Sequence, residues 1–281
     1  MPGMSTPSSI SIALIGGGNM ARGIVGGLLG QGANPTQITV AEPNEPGRLN
    51  LQRDFGIDTT ADNTAAVAVA RVVILAVKPQ LMSEVVRALA PALQTGKPLV
   101  ISVAAGIRAD RLQQWVGAGV PIVRSMPNRP ALIGAGATGL YADATLSSEN
   151  RLLAEQVMSS TGLCVWVQRE DDIDAVTALS GSGPAYFFRL AELMAEAGVA
   201  QGLEPDVARK LAAQTLAGAG QLVAAEAQPD LPRMRAEVTS KGGTTEAALN
   251  CFAEQGFEQL VAAAMAAAAR RSRELAAQFG N

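Results

Sequence analysis

The sequence predicts an α/β domain with a doubly wound, mostly parallel sheet, followed by an all-α domain. Short continuous runs of Val, Ile and Leu alternate with helical patterns through the first half of the chain, which is typical of strands that are covered on both faces. Residues 10–27 read as a buried strand, a glycine-rich turn and the start of a helix, in that order. Beyond residue 168, apolar residues recur only with helical spacing.

The order of elements follows from the apolar runs and from Gly or Pro punctuation between them. Strands are predicted at residues 10–15, 37–42, 72–77, 99–103 and 122–125. Two later strands, with a helix between them, extend the sheet at residues 138–141 and 163–167. Helices are predicted around residues 205–227, 233–239, 245–255 and 257–278. We therefore divide the chain into an α/β domain, residues 1–168 with 1–9 as a loose tail, and a helical domain, residues 169–281.

Composition and charge exclude several classes of protein. The chain has 281 residues, of which 48% are apolar and 17% are charged, so it is long and apolar enough for two folded domains. A net charge of −3 and a pI near 5.2 give no basic surface for nucleic acid. No apolar run has the length of a membrane span, and residues 1–9 lack the features of a signal peptide. We expect a small-molecule substrate, no nucleic acid and no membrane.

The cysteine and histidine content of the sequence excludes several kinds of active site. Cys164 and Cys251 lie in apolar stretches and are predicted to be buried free thiols, which favours a reducing cytoplasm. Histidine is absent, which excludes catalysts that depend on it. Two cysteines alone cannot form a tetrahedral metal site, so no metal is expected. The reaction therefore requires little help from a general acid or base that titrates near neutral pH.

The glycine-rich turn predicts a dinucleotide site. Gly16, Gly18 and Ala21 have the spacing G-x-G-x-x-G/A between an apolar strand and a helix, the context in which this motif has a physical basis. Gly16 permits the tight turn, Gly18 lets a pyrophosphate approach the backbone, and Ala21 lets the helix lie close to the strand. Free N–H groups at the start of the helix then face the phosphates. The alternative is a strand-turn-helix without a ligand.

The end of the second predicted strand, Ala41-Glu42-Pro43-Asn44, bears on the choice of cofactor. An acidic side chain at this point accepts hydrogen bonds from a ribose 2′-hydroxyl and repels a 2′-phosphate, which favours NADH. Arg48 follows closely in the sequence and is a candidate ligand of the 2′-phosphate of NADPH. We therefore expect the protein to use both cofactors.

Further candidate residues follow the ends of predicted strands, where ligands of open α/β sheets bind. In Ala76-Val77-Lys78-Pro79, the proline turns the chain at the site; the alternative is a strand end with a solvated Lys78. The small side chains of Val103-Ala104-Ala105-Gly106 either leave room for a flat ring or serve tight packing. Asn63 either caps the helix predicted at 64–70 or reaches the adenosine half of the cofactor. Asn128 offers a donor and an acceptor near the crevice, or it belongs to a plain turn.

Two polar motifs lie in the helical half of the chain. Ser180-Gly181-Ser182-Gly183-Pro184 interrupts a helical pattern, either as a proline kink or as a close approach of the backbone to a ligand or another subunit. Ser240-Lys241-Gly242-Gly243-Thr244-Thr245-Glu246 is a Gly-Gly turn that opens a helix. Such a turn binds a small carboxylate through N–H groups and hydroxyls, or it is an ordinary Thr cap.

Together these motifs resemble pyrroline-5-carboxylate reductase over essentially residues 10–278. The resemblance implies a cytoplasmic enzyme with a Rossmann domain and a helical dimerisation domain, whose dimers often assemble into larger homo-oligomeric rings. It implies reduction of 1-pyrroline-5-carboxylate to L-proline by NADPH or NADH. Lys241 stands where the family often has Pro, and Arg129 stands where a smaller or apolar residue is common. The resemblance rests on residues 16–20, 76–79, 104–106, 126–128, 180–186 and 240–245, of which the last two segments are the specific ones.

The resemblance also implies a set of site residues. Thr245 is implied as the catalytic residue, facing the ring nitrogen of the substrate. The implied substrate-binding residues are Glu226, Ser240, Gly243, Thr244 and Thr245. The implied cofactor-binding residues are Gly16, Gly18, Asn19, Met20, Asn63, Ala76, Val77, Lys78, Pro79, Val103, Ala104 and Ala105.

This chemistry agrees with the absence of histidine. A protonated cyclic imine is already an electrophile, so holding its ring carbon against the nicotinamide supplies much of the acceleration. Two alternatives stay open at the level of sequence. One is another imine or 2-hydroxyacid reductase of related architecture; such enzymes commonly use a Lys or Asp where this chain has Ser180 and Ser182. The other is a non-catalytic NAD(P)-binding protein.

Overall fold

The computed structural model describes residues 10–279, which form two compact units. The first unit contains the chain up to Ser182 and the C-terminal residues from Ala268 onward. The second unit contains Gly183–Ala267. The boundary predicted from the sequence lies earlier, between residues 168 and 169.

Within residues 10–279, the first unit contains eight strands that alternate with helices. Each predicted strand is present, with its ends shifted by at most two residues. The strands are β1 (Ile12–Ile15), β2 (Ile38–Ala41), β3 (Asp58–Thr60), β4 (Val72–Leu75), β5 (Leu99–Ser102), β6 (Ile122–Met126), β7 (Gly136–Tyr141) and β8 (Gly162–Trp166). The helices are α1 (Asn19–Gly30), α2 (Glu45–Phe55), α3 (Asn63–Ala68), α4 (Pro79–Gly96), α5 (Ala109–Val116), α6 (Ser148–Met158) and α7 (Asp172–Val176).

The strands form one sheet in the order β3-β2-β1-β4-β5-β6-β7-β8. Neighbouring strands are parallel except for β6 and β7, which pair antiparallel. The strand order reverses at β1, which lies between β2 and β4. Open α/β sheets bind their ligands at such a switch point. The predicted doubly wound, mostly parallel fold is confirmed.

Successive strand residues point to opposite faces of the sheet and form two apolar cores. Ile12 and Leu14 of β1 pack with α1, α2 and α6 on one face. Ala13 and Ile15 pack with α3, α4 and α5 on the other face. All residues of β1, β4 and β5 are buried, which explains why these strands are continuous apolar runs in the sequence.

Residues 169–182 belong to the first unit because they pack against the antiparallel end of the sheet. A Cβ atom built on Gly139 of β7 would lie 2.7 Å from Val176 Cγ1 of α7, so glycine permits this close approach. Glu170 is only 8% exposed and pairs with Arg124 of β6 at 3.0 Å. The chain then makes one π-helical turn over Thr177–Gly181.

The second unit is helical, as predicted. Pro184 lies in the first turn of its first helix, where a proline replaces an N–H group that has no helical partner. The proline kink considered above is therefore excluded. In residues 10–279, no helix has both the length and the apolar character needed to cross a membrane. The helices are α8 (Gly183–Ala200), α9 (Pro205–Ala224), α10 (Leu231–Glu237), α11 (Thr244–Glu254) and α12 (Phe257–Phe279), the last of which ends in the first unit.

Large apolar side chains of the second unit are exposed in the single chain. In α8 and α9 the buried residues are small: Gly183, Ala208 and Ala212. Exposed apolar surface of this extent is typical of a protein–protein interface. The exposed side chains include Leu193, Met194, Leu211, Leu222, Phe252 and Leu260.

The cysteines are free, but the prediction that both are buried is wrong. Cys164 of β8 is half-buried, and burial raises the pKa of its thiol to about 11. Cys251 is exposed, because no residue of α11 is buried within the single chain.

Gly27 of α1 offers a test of how closely this helix packs. A Cβ atom on Gly27 would overlap the Ser160 carbonyl group, whereas one on Gly26 would lie at an ordinary 3.5 Å from Phe55 Cε1. We expect Gly27→Ala to lower the free energy of unfolding by roughly 1–3 kcal/mol through overpacking. The matched control, Gly26→Ala, should be neutral or stabilising by up to about 1 kcal/mol, because alanine has the higher helix propensity. Urea unfolding measures both, and equal stabilities would contradict the packing described.

Candidate active site

Three strand ends meet at the switch point of the sheet. Ile15 of β1 pairs with Leu75 of β4. Beyond that pair, Ala76 N donates to Ile15 O at 2.9 Å, and Val103 N donates to Leu75 O at 3.1 Å. The carboxyl ends of β1, β4 and β5 therefore lie side by side. This register brings the predicted cofactor segments 16–20, 76–79 and 103–105 to one edge of the sheet.

Two glycines in the turn after β1 have different roles. Gly16 has a φ of 99°, and a Cβ atom there would lie 2.9 Å from Ala76 O. Gly16 therefore serves the turn and its packing against the end of β4. Gly18 is exposed, and no described atom outside its own neighbours lies within 4 Å of its Cβ position. The open space beside Gly18 is where the sequence predicts a pyrophosphate.

Helix α1 presents its N-terminus to this open space. It begins immediately after Gly18, and no side chain caps its first N–H groups. Ala21 is fully buried, which lets α1 lie close to β1 as predicted. Asn19 is exposed, and Met20 packs against the core formed with α1, α2 and α6. Uncapped N–H groups at a helix N-terminus are suited to phosphate oxygens.

The Glu42 side chain reaches from the end of β2 into the glycine turn. Its carboxylate accepts hydrogen bonds from Gly17 N at 2.9 Å and from Asn44 N at 3.0 Å. Arg48 donates to the carbonyl oxygens of Glu42 and Pro43, both at 2.9 Å. The carboxylate and the guanidinium that were predicted to compete over the cofactor are therefore both held at the end of β2.

Sequence reasoning missed the role of Gly17. The motif treats this position as variable, yet a Cβ atom on Gly17 would lie 2.8 Å from Leu51 Cδ1 and 3.2 Å from Glu42 Cβ. A glycine therefore lets the Glu42 side chain lie against the turn. The uninterrupted Gly16-Gly17-Gly18 run was the available signal.

Asn63 does not cap a helix. The cap of α3 is Asp62, whose carboxylate accepts from Thr64 N at 2.8 Å and Ala65 N at 3.2 Å. Asn63 is the half-buried first residue of α3. The capping interpretation is wrong because the aspartate one residue earlier takes that position. The Asn63 amide is therefore not used as a cap.

The ends of β4 and β5 agree with the prediction. Pro79 is the first residue of α4, so the chain turns directly after the strand, and Lys78 is exposed at the turn. Val103 and Ala105 are half-buried, and Ala104 is 5% exposed. Small side chains therefore line the edge of the sheet beside the end of β1.

Asn128 is a structural residue. Its Nδ2 donates to Ser180 O at 2.9 Å, and its Oδ1 accepts from Ala137 N at 2.9 Å, so both ends of the amide are used within the first unit. A Cβ atom on Gly181 would lie 2.7 Å from Met126 Cε. Gly181 therefore lies close to the end of β6 of its own unit, whereas the predicted approach to a ligand or another subunit stays a prediction. Asn128 is buried and is not available to a ligand in the way that the sequence suggested.

In the second unit, the predicted substrate loop leads into α11. Gly242 has a φ of 71°, which favours glycine. Its N–H donates to the Glu246 carboxylate at 2.7 Å, and Gly243 N donates to Ser240 O at 3.0 Å. Lys241 is exposed in this turn.

The two threonines lie inside the first turn of α11. The cap position is Gly243, and no side chain caps the helix. The alternative that a Thr hydroxyl is an ordinary cap is therefore wrong, because the helix begins at Thr244 itself. Thr244 is exposed and Thr245 is half-buried.

Glu226 forms a two-pronged ion pair. It follows α9, and its two carboxylate oxygens accept from Arg233 Nη2 of α10 at 2.6 and 2.5 Å. Arg233 also pairs with Glu237, and the two carboxylates raise the pKa of the guanidinium. The charge of Glu226 is thus compensated within the second unit, so Glu226 is not a free carboxylate.

Two family models match the chain. The model described as pyrroline-5-carboxylate reductase dimerisation matches residues 170–275. The model described as NADP oxidoreductase, coenzyme F420-dependent, matches residues 11–106.

Whole-length comparisons give the same result. A pyrroline-5-carboxylate reductase of Pseudomonas aeruginosa is 48% identical over 278 residues, which cover 99% of this chain and 100% of that protein. The solved structure of a pyrroline-5-carboxylate reductase from Coxiella burnetii has a TM-score of 0.90 and 40% identity, covering 95% of this chain and 98% of its own. The solved structure of the Plasmodium falciparum pyrroline carboxylate reductase with NADP bound has a TM-score of 0.79 and 25% identity, and the match covers 96% of this chain and 99% of that chain.

Proposed function

Because this chain belongs to the pyrroline-5-carboxylate reductase family and reduces pyrroline-5-carboxylate to proline with NADPH or NADH, we propose which of its residues perform each part of that reaction. The observation that carries the assignment is the alignment of the ends of β1, β4 and β5 beside the open space at Gly18. The cofactor is assigned to this edge of the first unit, and the substrate is assigned to the loop at residues 240–245.

The cofactor assignment follows the edge of the sheet from one strand end to the next. The pyrophosphate lies at Gly16, Gly18, Asn19 and Met20, where the N-terminus of α1 is uncapped. Asn63 serves the adenosine half, which is supported by its freedom from the cap of α3. The nicotinamide half lies along the ends of β4 and β5, where small or apolar groups leave room for a flat ring. Its assigned contacts are Ala76, Val77, Lys78, Pro79, Val103, Ala104 and Ala105.

The substrate assignment rests on the N-terminus of α11. A small carboxylate is suited to the N–H groups of Thr244 and Thr245, which lie in the first turn of α11 and have no side-chain cap. Gly243 leads the backbone into this turn, and its own N–H donates to Ser240 O. Ser240 and Thr244 add hydroxyl groups in the same turn. Thr245 is placed to hydrogen-bond the ring nitrogen. Glu226, also implied at the substrate site, pairs with Arg233 of α10 in the same unit.

In this reaction the main task of the protein is to position the substrate and the cofactor. The bound nicotinamide supplies the hydride. The imine carbon accepts this hydride while the π-electron pair of the C=N bond moves to the nitrogen, which is already protonated, and the product is the secondary amine. The 240–245 loop holds the substrate carboxylate, and Thr245 orients the nitrogen. Such positioning requires no histidine.

The second unit supplies the oligomer. The dimerisation match at residues 170–275 supports a homo-oligomer, and the exposed apolar side chains of α8 and α9 support a homodimer built through the helical domain that the sequence predicts at residues 169–281. The dinucleotide site is assigned to the first unit, which extends the domain predicted at residues 1–168 to Ser182 and includes the chain from Ala268 onward. Leu163 and Val165, exposed on the edge strand β8, support assembly of dimers into a larger homo-oligomer. The free cysteines support a cytoplasmic location.

Gly18→Val tests the pyrophosphate position. A Cβ atom at this position meets no described atom within 4 Å, so the valine should leave the packing of the fold intact, but its side chain stands in the space assigned to the pyrophosphate. We expect the dissociation constants of NADPH and NADH to rise more than about ten-fold, or 1.4 kcal/mol, with an unchanged melting temperature. Gly30→Ala, at the other end of α1 and equally open, is the control. Unchanged cofactor affinity in a fluorescence titration would refute the position.

Glu42→Gln tests the choice between the cofactors. Glutamine keeps an acceptor for Gly17 N but removes the negative charge near the assigned ribose. We expect kcat/KM for NADPH relative to NADH to rise roughly 5- to 10-fold, the effect of about 1 kcal/mol of charge repulsion. Steady-state kinetics with both cofactors measure this ratio. An unchanged ratio would mean that Glu42 serves only to hold the glycine turn.

Thr245→Ala tests the substrate assignment. A hydrogen bond to a charged group contributes roughly 1.5–3 kcal/mol, so kcat/KM for pyrroline-5-carboxylate should fall about 10- to 100-fold. Because Thr245 does not cap α11, the stability change should stay within about 0.5 kcal/mol. Thr245→Ser keeps the hydroxyl group and should retain most of the activity. A lower melting temperature with near-normal turnover would remove Thr245 from the active site.

A further inference from the structure

We infer that the last two turns of α12 hold the loop at residues 103–108 in the conformation that positions the cofactor. We call this segment the cofactor loop; the inference rests on the proposed assignment of Val103, Ala104 and Ala105 to the cofactor. The supporting residues are Ser272, Leu275 and Phe279. They are positioning residues that act through the loop.

The middle of the cofactor loop packs directly on α12. Gly106 is buried and has a φ of 76°. A Cβ atom built on it would lie 3.2 Å from Phe279 Cδ2 and 3.4 Å from Leu275 Cβ. Phe279 is also packed against the core cluster that contains Ala104 and Ile107. The backbone of the loop therefore lies against α12, and a side chain at Gly106 would require Phe279 to shift by a few tenths of an ångström.

A buried hydrogen bond fixes this end of α12. Ser272 Oγ donates to Asp174 Oδ1 of α7 at 2.6 Å, and both residues are 5% exposed. Because α7 itself packs on β7, the bond ties α12 to the sheet one turn before Leu275. The position of the two apolar side chains is thus set by a polar anchor.

The end of the cofactor loop is held by a second buried group. The Glu170 carboxylate accepts from Ala109 N at 2.6 Å and from Arg124 Nη1 at 3.0 Å, and it pairs with Arg108 Nη2 at 3.2 Å. This contact satisfies an N–H group of the first turn of α5. The loop is therefore fixed at its start by β5, at its middle by α12 and at its end by Glu170.

The loop needs this support because its own side chains are small. Ala104, Ala105 and Gly106 bury little apolar surface of their own, and glycine gives the backbone wide conformational freedom. Hydride transfer depends on the distance between two carbon atoms, and a misplacement of about 1 Å can reduce the rate by as much as 10²-fold. Loss of the support should therefore change cofactor kinetics more than it changes folding.

Phe279→Ala in the full-length enzyme tests the inference. We expect the KM values for NADPH and NADH to rise about five-fold or more and kcat to fall, because the nicotinamide ring is held less well. The KM for pyrroline-5-carboxylate should stay within about two-fold, since the substrate is assigned to another loop. Phe279→Leu should recover most of the cofactor affinity. Gln278→Ala, at an exposed neighbouring position, is the control and should match the wild type.

Two further variants distinguish a failure of this inference from a failure of the cofactor assignment. Ser272→Ala removes the hydrogen bond that anchors this end of α12 and probes the same support if Phe279→Ala is recovered unfolded. Ala105→Leu fills the space assigned to the cofactor and tests the proposed function by itself. If Ala105→Leu weakens cofactor binding while Phe279→Ala and Ser272→Ala lower only the melting temperature, the inference is overturned and the cofactor assignment stands. If Ala105→Leu leaves cofactor binding unchanged, the assignment of the loop itself fails.

Discussion

The parallel pairing of β1, β4 and β5 is the constraint on which the candidate site depends. Hydrogen bonds from Ala76 N to Ile15 O and from Val103 N to Leu75 O continue the ladder to the last residue of each strand. Each strand therefore ends at the same level, and the turns that follow lie beside one another. Segments that are far apart in the sequence become one edge, with the N-terminus of α1 directed at it. The buried core on both faces keeps this edge rigid.

Close contacts at this edge separate the structural glycines from those available to a ligand. Gly16 and Gly17 are glycines because Ala76 and Leu51 lie too near for a side chain. Gly18 has open space instead. Gly106 has a positive φ and lies against Leu275 and Phe279 of α12. Elements outside the glycine-rich motif, including Glu170 and the C-terminal turns of α12, thus pack against the loop that follows β5 at the proposed cofactor edge.

The second unit differs from the first in where its large apolar side chains lie. Its helices α8 and α9 bury small residues and expose large apolar ones within one chain, as expected for a surface that a second chain covers. The loop at the start of α11, to which we assign the substrate, combines a positive φ at Gly242 with an uncapped helix N-terminus. The proposed substrate loop and the proposed dimer surface therefore lie in the same unit, whereas the first unit has a core of its own.

Local patterns in the sequence determined the described strands other than β3, the glycine turn, the position of Pro79 and the helical character of the second half. These features depend on residues close together in the chain: a continuous apolar run requires two covered faces, and Gly and Pro limit φ locally. Only the structure decided that Asp62 and not Asn63 caps α3, and that Cys251 is exposed. It also decided that the Asn128 amide forms hydrogen bonds with Ser180 O and Ala137 N. The contact of Gly106 with Leu275 and Phe279 joins residues distant in the sequence, and a periodic pattern carries no information about which distant partners will meet.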